Sequence, residues 1–262
     1  MLSEFAAIDW DGRTVRIEHR FIARERVGAP LVVFLHEGLG SVSAWGDFPQ
    51  RLCDAARVRG LVYSRPGYGR STPRAPAEHW DVDFMHRQAR ELLPALLAAL
   101  AIAEPVWLFG HSDGGSIALL YAAAFPERAR GAIVLAPHVF VEAVGVASIA
   151  QIRAAYEAGE LRARLAKHHD DPDSAFYGWN DIWGRPDFAH WNIERELESI
   201  ACPVLALQGV DDQYGTLEQI RRIARRVPGT ALLELADCGH SPQRDQPERV
   251  IAASCTALRR AP

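Results

Sequence analysis

The chain is poor in the features that mark exported, membrane-bound or metal-centred proteins. Its four cysteines, Cys53, Cys202, Cys238 and Cys255, show no CxxC or other metal-ligand spacing. Asp9, Asp11 and Arg13 interrupt the N-terminal region before an export segment of the needed apolar length can form. Reduced thiols and a cytoplasmic location are therefore expected. Long apolar runs are also lacking: residues 98–103 are among the longest, whereas a bilayer span needs about 20 residues, so no membrane association is expected. There is no basic excess either. The formal net charge is -4 with both signs mixed, which argues against nucleic acid as a partner. Arg221, Arg222, Arg225 and Arg226 form the densest basic cluster, and their helical spacing reads as a solvated helix face. No glycine-rich stretch ends in the G-K-[ST] of a phosphate loop, and no nicotinamide or flavin fingerprint occurs, so no cofactor is expected. His168-His169-Asp170-Asp171 are adjacent residues that cannot easily converge on one ion, and they read as a solvated polar stretch rather than a metal site.

What the 262 residues do hold is 48% apolar and 24% charged, enough for a substantial hydrophobic core. Residues 5–10 and 14–21 read as strands joined by Asp11-Gly12, a strong hairpin signal. Leu31-Val32-Val33-Phe34-Leu35 is continuously apolar, as expected of a parallel strand buried on both faces. Strands follow at Leu61-Val62-Tyr63, Val106-Trp107-Leu108-Phe109, 132–136, Val204-Leu205-Ala206-Leu207 and 231–235. Helical patterns at about 79–101, 115–125, 217–227 and 247–258 alternate with them. This order predicts an α/β fold, a mostly parallel central sheet with helices on both faces. After Pro137 the rhythm stops for about sixty residues. We read 1–137 and 199–262 as two parts of one core and 138–198 as an inserted helical lid.

Gly110-His111-Ser112-Asp113-Gly114-Gly115 is the strongest local signal. It has the G-x-S-x-G pattern, follows an apolar strand and precedes an apolar helix, so Ser112 is expected on a tight turn with its Oγ exposed as a nucleophile. Elbow geometry is expected to point His111 away from the reacting centre. A serine hydroxyl needs a base to take its proton and an acid to orient that base. Both are available at later strand ends: Val210-Asp211-Asp212, then Gly239-His240. The order Ser, Asp, His agrees with the chain order of such folds.

With these motifs the chain resembles the α/β-hydrolase family, especially its small esterase-like and carbon–carbon hydrolase-like members, from the Leu31 strand to the C-terminal helix. The resemblance implies an acid three residues after Gly209, on Asp212, with Asp211 as competitor, and a catalytic His240. It also implies oxyanion donors at the backbone amides of Asp113 and Gly38, the latter in His36-Glu37-Gly38-Leu39-Gly40. Two departures stand out. Glu37 replaces a usual glycine and is expected to brace the loop through hydrogen bonds or to touch a polar substrate group. Ser64 replaces the usual acid in Ser64-Arg65-Pro66-Gly67-Tyr68-Gly69-Arg70-Ser71, a turn in which Arg65 is expected to brace loops.

The implied activity is hydrolysis of a small carboxylic ester or related acyl substrate through an acyl-enzyme. Carbon–carbon hydrolysis of a ketonic ring-cleavage product is the alternative. Cofactor-free oxygenase or lyase chemistry and a noncatalytic ligand receptor are weaker ones. Trp179 and Trp183, in the aromatic-rich insertion, are expected to touch a compact, partly apolar small molecule or else to pack the lid.

Overall fold

The computed structural model describes residues 3–75 and 78–260. The chain opens with β1 (Glu4–Trp10) and β2 (Arg13–Ile22), paired antiparallel through Trp10 and Arg13. Asp11 and Gly12 both take positive φ, 52° and 73°, as a two-residue turn matched to strand twist requires. Next come β3 (Leu31–Leu35), helix α1 (Phe48–Ala56) and β4 (Arg59–Tyr63). Helix α1 has no counterpart in the sequence reading. Its apolar face is only one turn deep, Phe48, Leu52 and Cys53, and it follows a turn-rich loop.

The single long helix expected at about 79–101 is three pieces: α2 (Phe84–Arg87), a π-helical turn (Gln88–Leu92) and α3 (Leu93–Ala99). Pro94 lies just beyond the π turn; it has no N–H to offer the preceding turn, and widened helical turns accommodate such a break. The remaining core elements are β5 (Val106–His111), α4 (Asp113–Ala124), β6 (Ala129–Leu135), β7 (Val204–Gly209), α8 (Glu218–Arg226), β8 (Ala231–Leu235) and, at the end, α9 (Pro242–Asp245) and α10 (Pro247–Arg260). Here the helical insertion between β6 and β7 contributes α5 (Ala143–Glu157), α6 (Glu160–Leu165) and α7 (Pro172–Trp183). A bridge between Phe140 and Asn192 closes the base of this insertion.

The sheet order is β1-β2-β4-β3-β5-β6-β7-β8, and the six strands from β4 to β8 run parallel. Alternate side chains of one strand feed opposite layers. Val32 and Phe34 join Phe48, Leu52, Phe109 and Ile251, while Val33 and Leu35 join the layer of α3, α4 and α8. The chain leaves β3 toward β4 and then returns to the other side with β5. That reversal makes the carboxyl ends of β3 and β5 a switch point, where an open α/β sheet leaves a crevice. No helix among the described residues is long and apolar enough to cross a membrane.

Candidate active site

The loops after β3, β5, β7 and β8 meet at that crevice. Ser112 follows β5 directly, with φ 53° and ψ -122°, a conformation that costs of order 1–3 kcal/mol for a residue with a Cβ. The neighbouring glycines make it possible. A methyl group at Gly110 would stand 2.2 Å from the Gly114 carbonyl oxygen, and one at Gly114 would stand 2.1 Å from that of Leu35. Helix α4 begins at the next residue, two positions before the sequence pattern suggests, so the Asp113 amide lies in a first turn with no helical acceptor.

Ser112 Oγ lies 2.9 Å from His240 Nε2, and His240 Nδ1 lies 2.9 Å from both carboxylate oxygens of Asp212. Asp212 also accepts from the Tyr214 amide and the Gln208 side-chain amide. Asp211, the competing acid, is exposed, and its backbone N–H is spent on the Cys238 carbonyl. Burial pushes the His240 pKa down, and although Asp212 pulls it back up, the net shift is below the usual histidine value. For Asp212 burial pushes the pKa up, but the His240 contacts and the Tyr214 amide outweigh it and hold the carboxyl below its usual value. The arrangement is a neutral imidazole that donates from Nδ1 to a carboxylate and presents the Nε2 lone pair to a hydroxyl.

His111 is not turned away as the elbow pattern suggests. Its ring stands 5.1 Å from that of His240, and Nε2 donates to the His240 carbonyl oxygen at 2.7 Å. On the other side Nδ1 meets the Gln243 amide at 3.0 Å and the Glu37 carboxylate at 3.5 Å. Glu37 is also engaged by Arg244 at 3.4 Å. Burial alone would raise its pKa, but His111 and Arg244 outweigh it and hold the carboxyl well below the usual carboxylate range. Its carboxylate thus braces the floor of the site and lines the cavity at the same time.

The cavity above Ser112 measures about 550 Å³. Trp179 and Trp183 both line it, together with Ile149, Ile152 and Leu161 of the insertion. They are packing residues too: Trp183 meets His138 edge to face at 4.9 Å, and Trp179 lies against Phe176. Gly38 and Asp113 also line it, and their amides donate to no group among the described residues. The Asp113 side chain is fully buried and neither oxygen has a well-formed hydrogen bond; burial pushes its carboxyl up to about 6, against the pull of Arg65 and of the nearby Trp183 indole. His138 is a cavity residue that the sequence does not announce, and burial pushes it down to about 3. Its only signal is its place just beyond the end of β6. Tyr214, whose ring packs 4.6 Å from His240, is equally silent in the sequence.

His168-His169-Asp170-Asp171 are spread over separate tasks. His168 bonds Ser43, while His169 accepts from the Gly69 amide and donates to the Leu39 carbonyl. Asp171 caps α7 through the Ser174 amide. The expected solvation is therefore wrong for His169, which is buried because it ties the insertion to the loop after β3. Among the described residues no cluster of three or more His, Cys, Asp or Glu side chains is arranged to hold a metal ion.

Residues 32–253 match the alpha/beta hydrolase family. The chain belongs to this family. It is an enzyme of the serine-hydrolase type within it. One relative is RutD of a Caulobacter strain, a protein named for carbamate hydrolysis. It is 29% identical over 79% of this chain and 82% of its own. A thermophilic esterase from Thermogutta terrifontis has a similar structure, with TM-score 0.76 and 19% identity, covering 99% of this enzyme and 98% of the esterase. The enol-lactonase from Burkholderia xenovorans gives 0.76 and 20%, covering 98% of this enzyme and all of the lactonase. At those identities the two structures are alike in fold.

Proposed function

We propose that the enzyme cleaves a small carboxylic ester or related acyl substrate through an acyl-enzyme on Ser112. The observation that carries this reading is the unbroken hydrogen-bonded path from Asp212 through His240 to Ser112 Oγ, each step 2.9 Å. In the proposed mechanism His240 Nε2 accepts the Ser112 proton as Oγ attacks the substrate carbonyl carbon. The tetrahedral oxyanion takes hydrogen bonds from the Gly38 and Asp113 amides, donors already fixed where the charge develops. Asp212 stabilises the imidazolium, which then protonates the leaving alkoxide oxygen as the C–O bond breaks, releasing the alcohol. Water follows the same route: His240 takes its proton as the oxygen attacks the acyl carbon, then returns that proton to Ser112 Oγ as the acyl–Oγ bond breaks and the acid leaves.

The wall of Ile149, Ile152, Leu161, Trp179 and Trp183 supports a compact, partly apolar substrate, with segment 138–198 acting as the cap over it. Arg164, an exposed residue of the cavity lining, makes no ion pair among the described residues and suits a polar or anionic tail. The RutD likeness adds carbamates to the acyl substrates worth testing. All four cysteines are free thiols, which fits the cytoplasmic location included in this proposal.

The test is a panel of aryl esters with one leaving group and short, aromatic or long-chain acyl parts, run beside aryl carbamates and vinylogous diketones. Short or aromatic esters are expected to give the highest kcat/KM. A large advantage for long-chain esters would reject the compact pocket, and turnover of diketones alone would reject acyl transfer.

A further inference from the structure

Arg65 follows β4 in the turn where an acid is replaced by Ser64, and it is 1% exposed. Such a cation is expected to have a carboxylate partner, yet it forms no ion pair among the described residues. Glu18 of β2, a buried carboxylate in contact with this turn, is taken up by Ser64 Oγ at 2.8 Å and the Arg70 amide at 2.9 Å, and the buried Asp113 carboxyl feels the Arg65 charge without bonding it. Arg65 instead donates to two successive carbonyls of the loop after β3: Nη1 to His36 O at 2.8 Å and Nη2 to Glu37 O at 3.0 Å.

The Glu37 carbonyl is held by two further donors, His36 Nδ1 at 2.7 Å and the Gly40 amide at 3.1 Å. The direction of the His36 bond is settled by its other nitrogen. Nε2 accepts from the Arg65 backbone N–H at 3.1 Å, so the proton of the neutral ring is on Nδ1. Burial and the neighbouring guanidinium keep that ring neutral by pushing its pKa well down. A carbonyl with three donors is fixed in direction. In a planar trans peptide the C=O and the following N–H point to opposite sides, and no cis bond occurs among the described residues. Three donors on the Glu37 oxygen therefore turn the Gly38 N–H the other way, and Gly38 lines the cavity with Ser112, flanked there by Glu37 and Leu39.

We infer that Arg65 is a positioning residue for the oxyanion site: it fixes the peptide between Glu37 and Gly38 with the N–H toward Ser112, and it polarises that peptide so that a buried positive charge is felt by the oxyanion. This rests on the acyl-transfer reading and deepens it. Charge-assisted hydrogen bonds are stronger than neutral ones, and a chain of them in a low-dielectric interior reinforces each member. The relay runs from guanidinium to carbonyl, through one amide plane, to the substrate oxygen. A loop brace without this role would hold the backbone but would not distinguish the tetrahedral anion from a neutral ligand.

The experiment compares wild type, Arg65→Met and Arg65→Lys on an aryl ester. It also compares their affinities for an arylboronic acid, which forms a tetrahedral anion on a serine, and for the neutral alcohol product. Arg65→Met is expected to lower kcat about 100-fold, as loss of an oxyanion donor does, with KM changed less than about threefold. Boronate affinity should fall by a similar factor while alcohol binding stays constant, and Arg65→Lys should recover about tenfold by restoring the charge. Unchanged boronate affinity, or equal losses for boronate and alcohol, would overturn the inference. If Arg65→Met does not fold, the wild-type boronate adduct decides. Its crystal structure should place an adduct oxygen in hydrogen-bond reach of Gly38 N with Arg65 still on the Glu37 carbonyl. An adduct on Ser112 with the Gly38 N–H directed elsewhere overturns the relay alone. No adduct on Ser112 overturns the acyl-transfer reading instead.

Discussion

Gly38→Ala should damage catalysis through one identifiable collision. A methyl group on Gly38 would lie 2.1 Å from Trp179 Nε1 and 2.3 Å from Cδ1. Neither atom can retreat freely, because the indole is buried and packed against Phe176. Either the indole tilts or the loop after β3 moves, and a loop shift of several tenths of an ångström takes the Gly38 amide off the oxyanion. Losing one such donor costs about 100- to 1,000-fold in kcat, or about 3–4 kcal/mol. Trp179→Leu removes the obstructing ring edge at the price of some packing. The double variant should therefore recover a large part of the Gly38→Ala loss, with a coupling of about 1–2 kcal/mol between two residues in contact. The assay is kcat/KM on a short aryl ester for wild type, both single variants and the double variant, with thermal unfolding as the check on folding. Strictly additive losses would refute the steric argument. A Gly38→Ala enzyme with full kcat would refute the role of the amide itself.

Two further expectations follow from the same geometry. Asp212→Asn should lower kcat by about 10⁴ by presenting the wrong partner to His240 Nδ1, whereas Asp211→Asn should leave it within about threefold; the reverse ranking in folded proteins would move the acid to Asp211. The base must be neutral to act, and the pKa of His240 lies below the usual histidine value, so kcat/KM should be flat above about pH 7 and fall only below about 6.5. Asp212 raises this pKa, so Asp212→Asn should move the residual acid limb lower still. Asp113→Asn, which removes the carboxyl held at about 6, should leave the limb in place; an acid limb centred above 6.5 would contradict the assignment.

The core, Ser112 and His240 were legible because each rests on a short-range signal, whereas the choice of Asp212 over Asp211 rested on the family resemblance. The apolar strand before Gly110, the glycines around Ser112 and the Gly239-His240 pair at a strand end are readable within a few residues. The supports were not legible, since they depend on partners far apart in sequence. Glu18 meets Ser64 across 46 positions, and His169 reaches Gly69 across 100. The elbow pattern points His111 away from the reacting centre, but its partners, the His240 carbonyl and Gln243, lie about 130 positions further along the chain and hold its ring beside His240. Helix α1 escaped because a single buried turn of Phe48, Leu52 and Cys53 leaves little periodicity to detect. The insertion was visible as a lapse in strand rhythm, but the contact of Trp179 with Gly38 depends on how α7 folds back over the β3 loop.

Covalent trapping at Ser112 tests the central claim most directly. A slowly deacylating aryl ester is added to the enzyme and quenched within the burst, and the digested protein is mapped by mass spectrometry. The account predicts one acyl group per chain on Ser112, formed with stoichiometric release of the phenol and absent from a folded Ser112→Ala variant. Stoichiometric acylation of another residue, or phenol release by Ser112→Ala at the wild-type rate, would contradict it.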